Sequence, residues 1–328
     1  MPSPLGRVSA EQADGRGFPL PSFSPVPVEK STFPRGEGLR KCYMNLTHIA
    51  TRSGRLSSFL REEMGISAGL MNRLKWHEKI LVNGKPQHTD FSVQVGDTIT
   101  LLLDAPQVEY PAEHGSLRIL YEDAHILAVD KPAGMLIHPS RSKNTGTLAN
   151  FVAGYYQQTG QNSAFHPLTR LDRDTFGVVL LAKNAHVNHL LQAGTLQKTY
   201  HAITFGGPEA ERGSIDAPIA RKPLPSLLRQ VQSDGKPSVT EYRVLARSDV
   251  LCKLELRPIT GRTHQLRVHC AHMGYPILGD PQYGSAESTQ YSEQLGIKTQ
   301  LLCAKKLEFL HPITKLPQCI VSRFDANW

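Results

Sequence analysis

The feature that most constrains the fold is Val178-Val-Leu-Leu-Ala182, a run of apolar residues with no polar break. A half-buried strand alternates apolar with polar residues; an unbroken short run reads as a strand inside the core. Directly before it lies Thr169-Arg-Leu-Asp-Arg-Asp-Thr175, a segment of opposite character. Side chains at the mouth of a buried strand are held by the core yet open to a cleft. A carboxylate between arginines stays ionised there, because neighbouring positive charge favours the charged form. The same spacing also describes a surface salt-bridge cluster, and taken alone it favours that plainer reading.

Other elements assemble around this strand. Ile126-Leu-Ala-Val129 is a second strand, and Leu148, Phe151, Val152 and Tyr155 form a helical stripe. Tyr155 and Phe151 read as core. Asn184 is placed to cap a helix carrying Val187, Leu190 and Leu191. Residues 198–205 and 251–256 alternate as strands do, and Thr263 is expected to cap a helix ending at Gly274. This alternation defines a large α+β domain over residues 115–328, with a central mixed or antiparallel sheet flanked by helices.

Upstream the pattern changes. Residues 1–38 are rich in Pro, Gly and Ser without hydrophobic period, and read as a disordered or loosely attached arm. Residues 40–105 form a small α+β unit. Leu56, Phe59, Leu60 and Met64 have helical spacing and Gly65 closes that helix. Ser67 caps a second helix carrying Leu70, Met71 and Leu74. Ile80-Leu-Val-Asn-Gly84 is a strand entering a turn, and Val93, Val95, Ile99 and Leu101 suggest a closing strand pair around Gly96-Asp97. Residues 106–114 read as a linker.

The formal net charge of +8 tilts the chain mildly towards a polyanionic partner. The five cysteines, Cys42, Cys252, Cys270, Cys303 and Cys319, are odd in number and contain no C-x-x-C pair. That disfavours a disulfide framework and a thiolate zinc site, and suits a reducing cytosol. No apolar run is long enough for a transmembrane helix, and the opening residues do not resemble a signal peptide.

Two further segments carry chemistry. In Lys198-Thr-Tyr200 the tyrosine shares a strand face with Ala202; facing a cleft, its ring can stack on a base, and otherwise it is an ordinary core tyrosine. In Gly261-Arg-Thr-His-Gln-Leu-Arg267, Arg262 sits at a turn where it can meet phosphate. Arg267 lies one turn into the expected helix, at the border of an apolar face shared by Leu266, His269, Cys270 and Met273. An arginine there needs an anion or solvent. His264, His269 and His272 lack the spacing and the acid of a metal site.

Together these three segments resemble the RluA-type pseudouridine synthase family, whose signature is R-L-D-x-D-T-x-G, then K-x-Y, then G-R-T-H-Q-[IL]-R-V-H. All three stand here in order, and Asp130-Lys-Pro-Ala-Gly134, His138-Pro139, Gly235-Lys236, Thr240-Glu-Tyr242, Pro276-Ile-Leu-Gly-Asp280 and Tyr283-Gly284 are also similar. The likeness covers about residues 115–315. The 40–105 unit resembles the small RNA-binding domain of ribosomal protein S-four. Two positions depart from the family pattern: Thr169 stands where many members have His, and Phe176 where Ser is common.

The resemblance implies an enzyme that isomerises uridine within RNA. It makes Asp172 the catalytic carboxylate, Tyr200 the stacking residue and Arg267 the partner of Asp172. Arg170 would fill the space left by a flipped base, Arg173 and Arg262 would meet phosphate, and Leu266 would touch the substrate. Arg55, Arg73 and Lys75 of the small unit would grip RNA backbone. No cofactor and no metal are expected, because the reaction gains no atoms and changes no oxidation state. The expected partner is RNA, with large-subunit ribosomal RNA first and transfer RNA as the alternative. A cytoplasmic monomer away from membranes is expected. A catalytically silent RNA-binding or ribosome-assembly factor is the reading from another class, and the intact Asp172 argues against it.

Overall fold

The computed structural model describes residues 43–104, 110–140 and 143–327. The arm expected over residues 1–38, Cys42 and part of the expected linker lie outside these residues.

The first part of the chain builds a four-stranded antiparallel sheet in the order Tyr43–Ile49, Thr98–Asp104, Ile80–Val82, Lys85–Pro86. A helical turn at Leu56–Ser58 continues as a π-helical turn over Phe59–Glu63, and the helix Ala68–Trp76 follows with the Ser67 side chain accepting from Leu70 N–H. Leu56, Phe59, Leu60, Leu74, Ile80, Ile99 and Leu101 form its core. Gly65 closes the first helix in the left-handed region, where only glycine is free of Cβ strain.

One expectation fails here. The segments around Gly96-Asp97 do not pair with each other. Ser92–Val93 pairs with Gly54–Arg55, whereas Thr98–Asp104 pairs with Tyr43–Ile49 and Ile80–Val82. The cause is Asp97, whose carboxylate accepts from Gln94 N–H at 2.8 Å and from Asn83 Nδ2 at 2.7 Å. Asn83 Oδ1 in turn accepts from Thr98 N–H, so the turn is tied to the Asn83-Gly84 hairpin and its two arms diverge.

The larger sheet runs Arg212–Asp216, Val239–Arg247, Leu251–Pro258, Leu196–Phe205, Leu302–Leu310, Phe176–Ala182, Ile126–Lys131, Ile119–Glu122. Pro317–Val321 adds to Leu302–Leu310, and His166–Pro167 to Phe176–Ala182. Every pairing is antiparallel except that of Phe176–Ala182 with Leu302–Leu310, which is parallel through Phe176↔Cys303 and Gly177↔Ala304. The sheet is therefore mixed, and the fold is α+β.

The apolar run is buried because both its faces are covered. Val178 and Leu180 pack with Val187 and Leu191 of the helix Ala185–Ala193. Val179 and Leu181 face the other way, onto Leu148, Val152 and Tyr156 of the helix Leu148–Gln158. Asn184 caps the first of these helices, accepting from Val187 N–H at 2.8 Å. Tyr110 and Glu113 pack on this body: Glu113 accepts from Gly146 N–H, and the Tyr110 ring stands edge-on to Phe165.

The parallel junction depends on Gly177. Its φ is +110°, and a Cβ there would lie 2.3 Å from the Ala304 carbonyl oxygen. The two strands can approach so closely only without a side chain. On the other side of Leu302–Leu310, the ladder with Leu196–Phe205 slips between Thr199 and Tyr200. Such a bulge increases local twist and re-aims side chains, and it lies beside the charged segment.

Candidate active site

The charged segment leaves the strand mouth beside this junction and is held from behind. Lys131, fully buried, donates to the carbonyls of Pro132, Met135 and Arg173 at 3.0, 2.9 and 2.8 Å. All three ammonium protons are used, and the last fixes the backbone next to Asp172. Burial lowers the Lys131 pKa to about 8, although the charges of Asp174 and Asp172 act the other way. Thr169, the departure from the family pattern, is also buried; its hydroxyl accepts from Leu180 N–H and staples the segment to the core strand. Phe176 packs edge-on to Phe324 within another cluster of the core.

Arg267 comes from the helix Gln265–His272. Thr263 does not cap this helix: its N-terminal flanking residue is His264, at φ +58°. The turn is organised instead by Gln265, whose Oε1 accepts from Arg262 N–H and Thr260 Oγ1 while Nε2 donates to the Val239 carbonyl and Thr240 Oγ1. The helix therefore begins one residue later than expected, which puts Arg267 in its first turn.

Arg267 is 4% exposed, and all three of its guanidinium nitrogens donate. Nη1 donates to Asp172 Oδ2 at 3.0 Å. Nε and Nη2 make a bidentate pair with Asp280 at 2.7 Å each, and Nη2 also reaches Gln282 Oε1 at 2.9 Å. Burial opposes its charge, but the bonds and charge of Asp280, with those of Asp172, outweigh that and hold its pKa above the ordinary value. The Asp280 side chain is fully buried, whereas that of Asp172 is 30% exposed. Arg267 is thus anchored on one carboxylate and presents the other to the cleft.

The cleft is a cavity of about 590 Å³ lined by Asp172, Tyr200, Arg267, Leu266, Arg170 and Arg262, among others. Tyr200 is buried; burial first, and the Asp172 charge second, keep its phenol protonated well above the ordinary range. His264 Nε2 lies 3.9 Å from Asp172 Oδ1, too far for a hydrogen bond. Its Nδ1 is 2.8 Å from the Tyr283 hydroxyl, which also accepts from Arg229 N–H. Burial lowers the His264 pKa, which favours the neutral ring.

Six of the residues singled out in the sequence therefore meet at one cavity. Arg173 does not: it is exposed and forms a pair with Asp174. Arg55 and Lys75 are exposed on the first part of the chain, and Arg73 lines a separate cavity with Ser67, His77, Lys79, His186 and His189. Sequence reasoning gave no role to Lys131, Asp280, Gln282 or Tyr283. For Lys131, Asp280 and Tyr283 a signal was present, since Asp130-Lys131, Gly279-Asp280 and Tyr283-Gly284 fall in short matches to the family, but no spacing rule ties them to Arg267, and Gln282 lies outside these matches.

Comparison with known proteins identifies relatives of this chain. Residues 125–272 match the model of the RNA pseudouridylate synthase family. Over 266 residues the chain is 35% identical to an uncharacterized RNA pseudouridine synthase of Bacillus subtilis, covering 79% of this chain and 86% of the relative. It is 30% identical over 289 residues to ribosomal large subunit pseudouridine synthase C of Vibrio cholerae, covering 83% and 90%. Ribosomal large subunit pseudouridine synthase D of Xanthomonas campestris is 35% identical over 249 residues, covering 72% and 75%. Among solved structures, human RNA pseudouridylate synthase domain containing 4 aligns with a TM-score of 0.50 and 26% identity, over 62% of this chain and 87% of that one.

Proposed function

The chain belongs to the RluA-type RNA pseudouridylate synthase family and is an isomerase that converts uridine to pseudouridine in RNA, and from that premise we propose that Asp172 is its catalytic carboxylate, with Arg267 as its charge partner and Tyr200 as the platform for the base. The observation that carries this reading is the asymmetry of Arg267, which is locked on buried Asp280 and offers Nη1 to the part-exposed Asp172. A fixed counter-cation offsets the cost of enclosing this carboxylate when substrate covers the cleft, where an unpaired charge would be costly.

In the reaction the bond from ribose C1′ to uracil N1 breaks, the uracil turns, and C1′ bonds to C5. The C5 proton is lost and N1 gains one, so atoms and electrons balance. Asp172 acts at the sugar, either by adding to C1′ or by taking the C2′ proton. The Tyr200 ring and Leu266 hold the detached uracil while it turns. The protonated phenol supports this stacking role over a phenolate base. The target base must leave its stack, which costs a few kcal/mol and costs least in loops. Arg170, exposed at the rim, fills the vacated space by stacking its guanidinium plane, and Arg262 meets backbone phosphate.

The RNA is large-subunit ribosomal RNA. Relatives named for that substrate support this, as does the small α+β unit over residues 40–105, which serves as an RNA-binding domain through Arg55, Arg73 and Lys75. The enzyme works as a monomer in the cytoplasm, and its unpaired buried cysteines Cys252, Cys270 and Cys303 suit a reducing compartment. Pseudouridine mapping of total RNA from cells with and without this protein tests the substrate. A site lost from large-subunit ribosomal RNA is expected; a site lost only from transfer RNA would replace that target.

A further inference from the structure

We propose that Lys198 is a phosphate-binding residue of the active site, holding the backbone phosphate beside the flipped uridine while the base rests on Tyr200. This rests on the reading of the cavity as the uridine site. Lys198 lines the same cavity as Asp172 and Tyr200. It shares a strand with Tyr200, two residues away, and both residues line this one cavity. That spacing is about 7 Å along the strand, the scale that separates a base from its own backbone phosphate.

The charge balance of the cavity points the same way. Among the described residues lining it, Asp172 is the sole carboxylate, and its partner Arg267 is shared with buried Asp280. The four cations Arg170, Lys198, Arg262 and Arg267 thus meet only these two carboxylates, which leaves an excess of positive charge. Lys198 differs from Arg170 and Arg262 because it is half-buried, whereas they are exposed. It has no hydrogen-bond or ion-pair partner among the described residues, and burial alone acts on its pKa, downwards. Compare Lys131, whose ammonium is saturated by three carbonyls. A partly desolvated ammonium without an acceptor is costly unless an anion arrives to pair with it. The anion that uridine in RNA brings to this depth is a phosphodiester.

This role differs from proton transfer, and kinetics separate the two. A residue that binds phosphate equally in ground and transition states acts through KM, and arginine can replace it. The substrate is total RNA isolated from cells lacking this protein, and the readout is pseudouridine formed after nuclease digestion. Lys198→Gln is expected to lower kcat/KM about tenfold, carried by KM, with Lys198→Arg restoring most of it. The slope of log kcat/KM against log salt should flatten by about 0.7–0.9 in Lys198→Gln, the value of one phosphate contact. Should Lys198→Gln not fold, RNA with methylphosphonate at the phosphates flanking the modified uridine reads the same contact on the wild-type enzyme. It should lose as much in kcat/KM.

Unchanged kcat/KM in Lys198→Gln, a loss carried by kcat, or failure of Lys198→Arg to restore would overturn the proposal. Wild-type enzyme and Asp172→Asn run beside these variants. If wild type forms no pseudouridine, the reading of the cavity fails rather than the role of Lys198.

Discussion

Asp280→Asn isolates the anchor from the carboxylate it serves. The Asp280 carboxylate is fully buried and accepts four N–H groups: Arg267 Nε and Nη2 at 2.7 Å each, Gln282 N–H at 2.9 Å and Tyr283 N–H at 3.2 Å. Asparagine keeps one acceptor oxygen and turns an NH₂ against a donor. At least one charge-assisted bond is lost, worth about 1.5–3 kcal/mol, and the buried guanidinium loses its nearest counter-charge. Breaking a buried pair from one side costs about 3–5 kcal/mol, and that is the expected loss in unfolding free energy. For a chain of this size it corresponds to roughly 4–7 °C in Tm. Activity should fall at least tenfold even where the variant is fully folded, because Arg267 no longer has a fixed position from which to hold Asp172. Asp172→Asn is the contrast: its side chain is part-exposed and makes one bond to Arg267, so its stability should change by only about 1 kcal/mol. Urea denaturation beside pseudouridine formation reads both quantities. Asp280→Asn within 1 kcal/mol of wild type would refute the reasoning that Asp280 anchors the site.

Lys131→Met removes the donor from three carbonyls, one of them in the Asp172 segment, and should cost about 2–3 kcal/mol together with most of kcat; a stable variant with wild-type kcat would exclude a positioning role. Gly177→Ala places a Cβ 2.3 Å from the Ala304 carbonyl oxygen at φ +110°, and should lower the urea midpoint by the equivalent of about 3 kcal/mol or more. His186 is buried, and burial lowers its pKa from 6.5 to about 4, with a smaller push the same way from His189. The unfolded chain therefore binds the proton first. The contribution is fully present above pH 6.5 and is lost as the pH falls towards 4, by about 3 kcal/mol in all. Urea midpoints at pH 7.5 and 5 should differ more in wild type than in His186→Leu, and equal slopes would contradict this.

Much of the site was legible because its residues lie in short contiguous segments. The run at 178–182 announced a strand covered on both faces, and the helices on either side bear that out. Asp172, Tyr200 and Arg267 were found through the order of three segments rather than through any one of them. What escaped was set by tertiary geometry. Asp280 and Lys131 are charged residues whose burial no local pattern reveals, and each is paid for only by partners distant in sequence. The true start of the 265–272 helix was hidden because a buried glutamine, not a capping threonine, satisfies the turn. The strand Tyr43–Ile49 went unread, and so the pairing around Gly96-Asp97 was misassigned; the divergence comes from Asp97 bonding to Asn83 across a second turn. The exposure of Arg170 and Arg262, and the pairing of Arg173 with Asp174, likewise follow from the fold alone.

The proposed reaction turns on the Asp172 carboxylate. Its most direct test is Asp172→Asn, assayed for pseudouridine formation on total RNA from cells lacking the protein, with RNA affinity measured on the same preparation. Pseudouridine formation should disappear, while affinity stays within severalfold of wild type, since the remaining cavity and its cations are unchanged. Pseudouridine formed by the variant at a rate near that of wild type would contradict the assignment of Asp172 as the catalytic carboxylate.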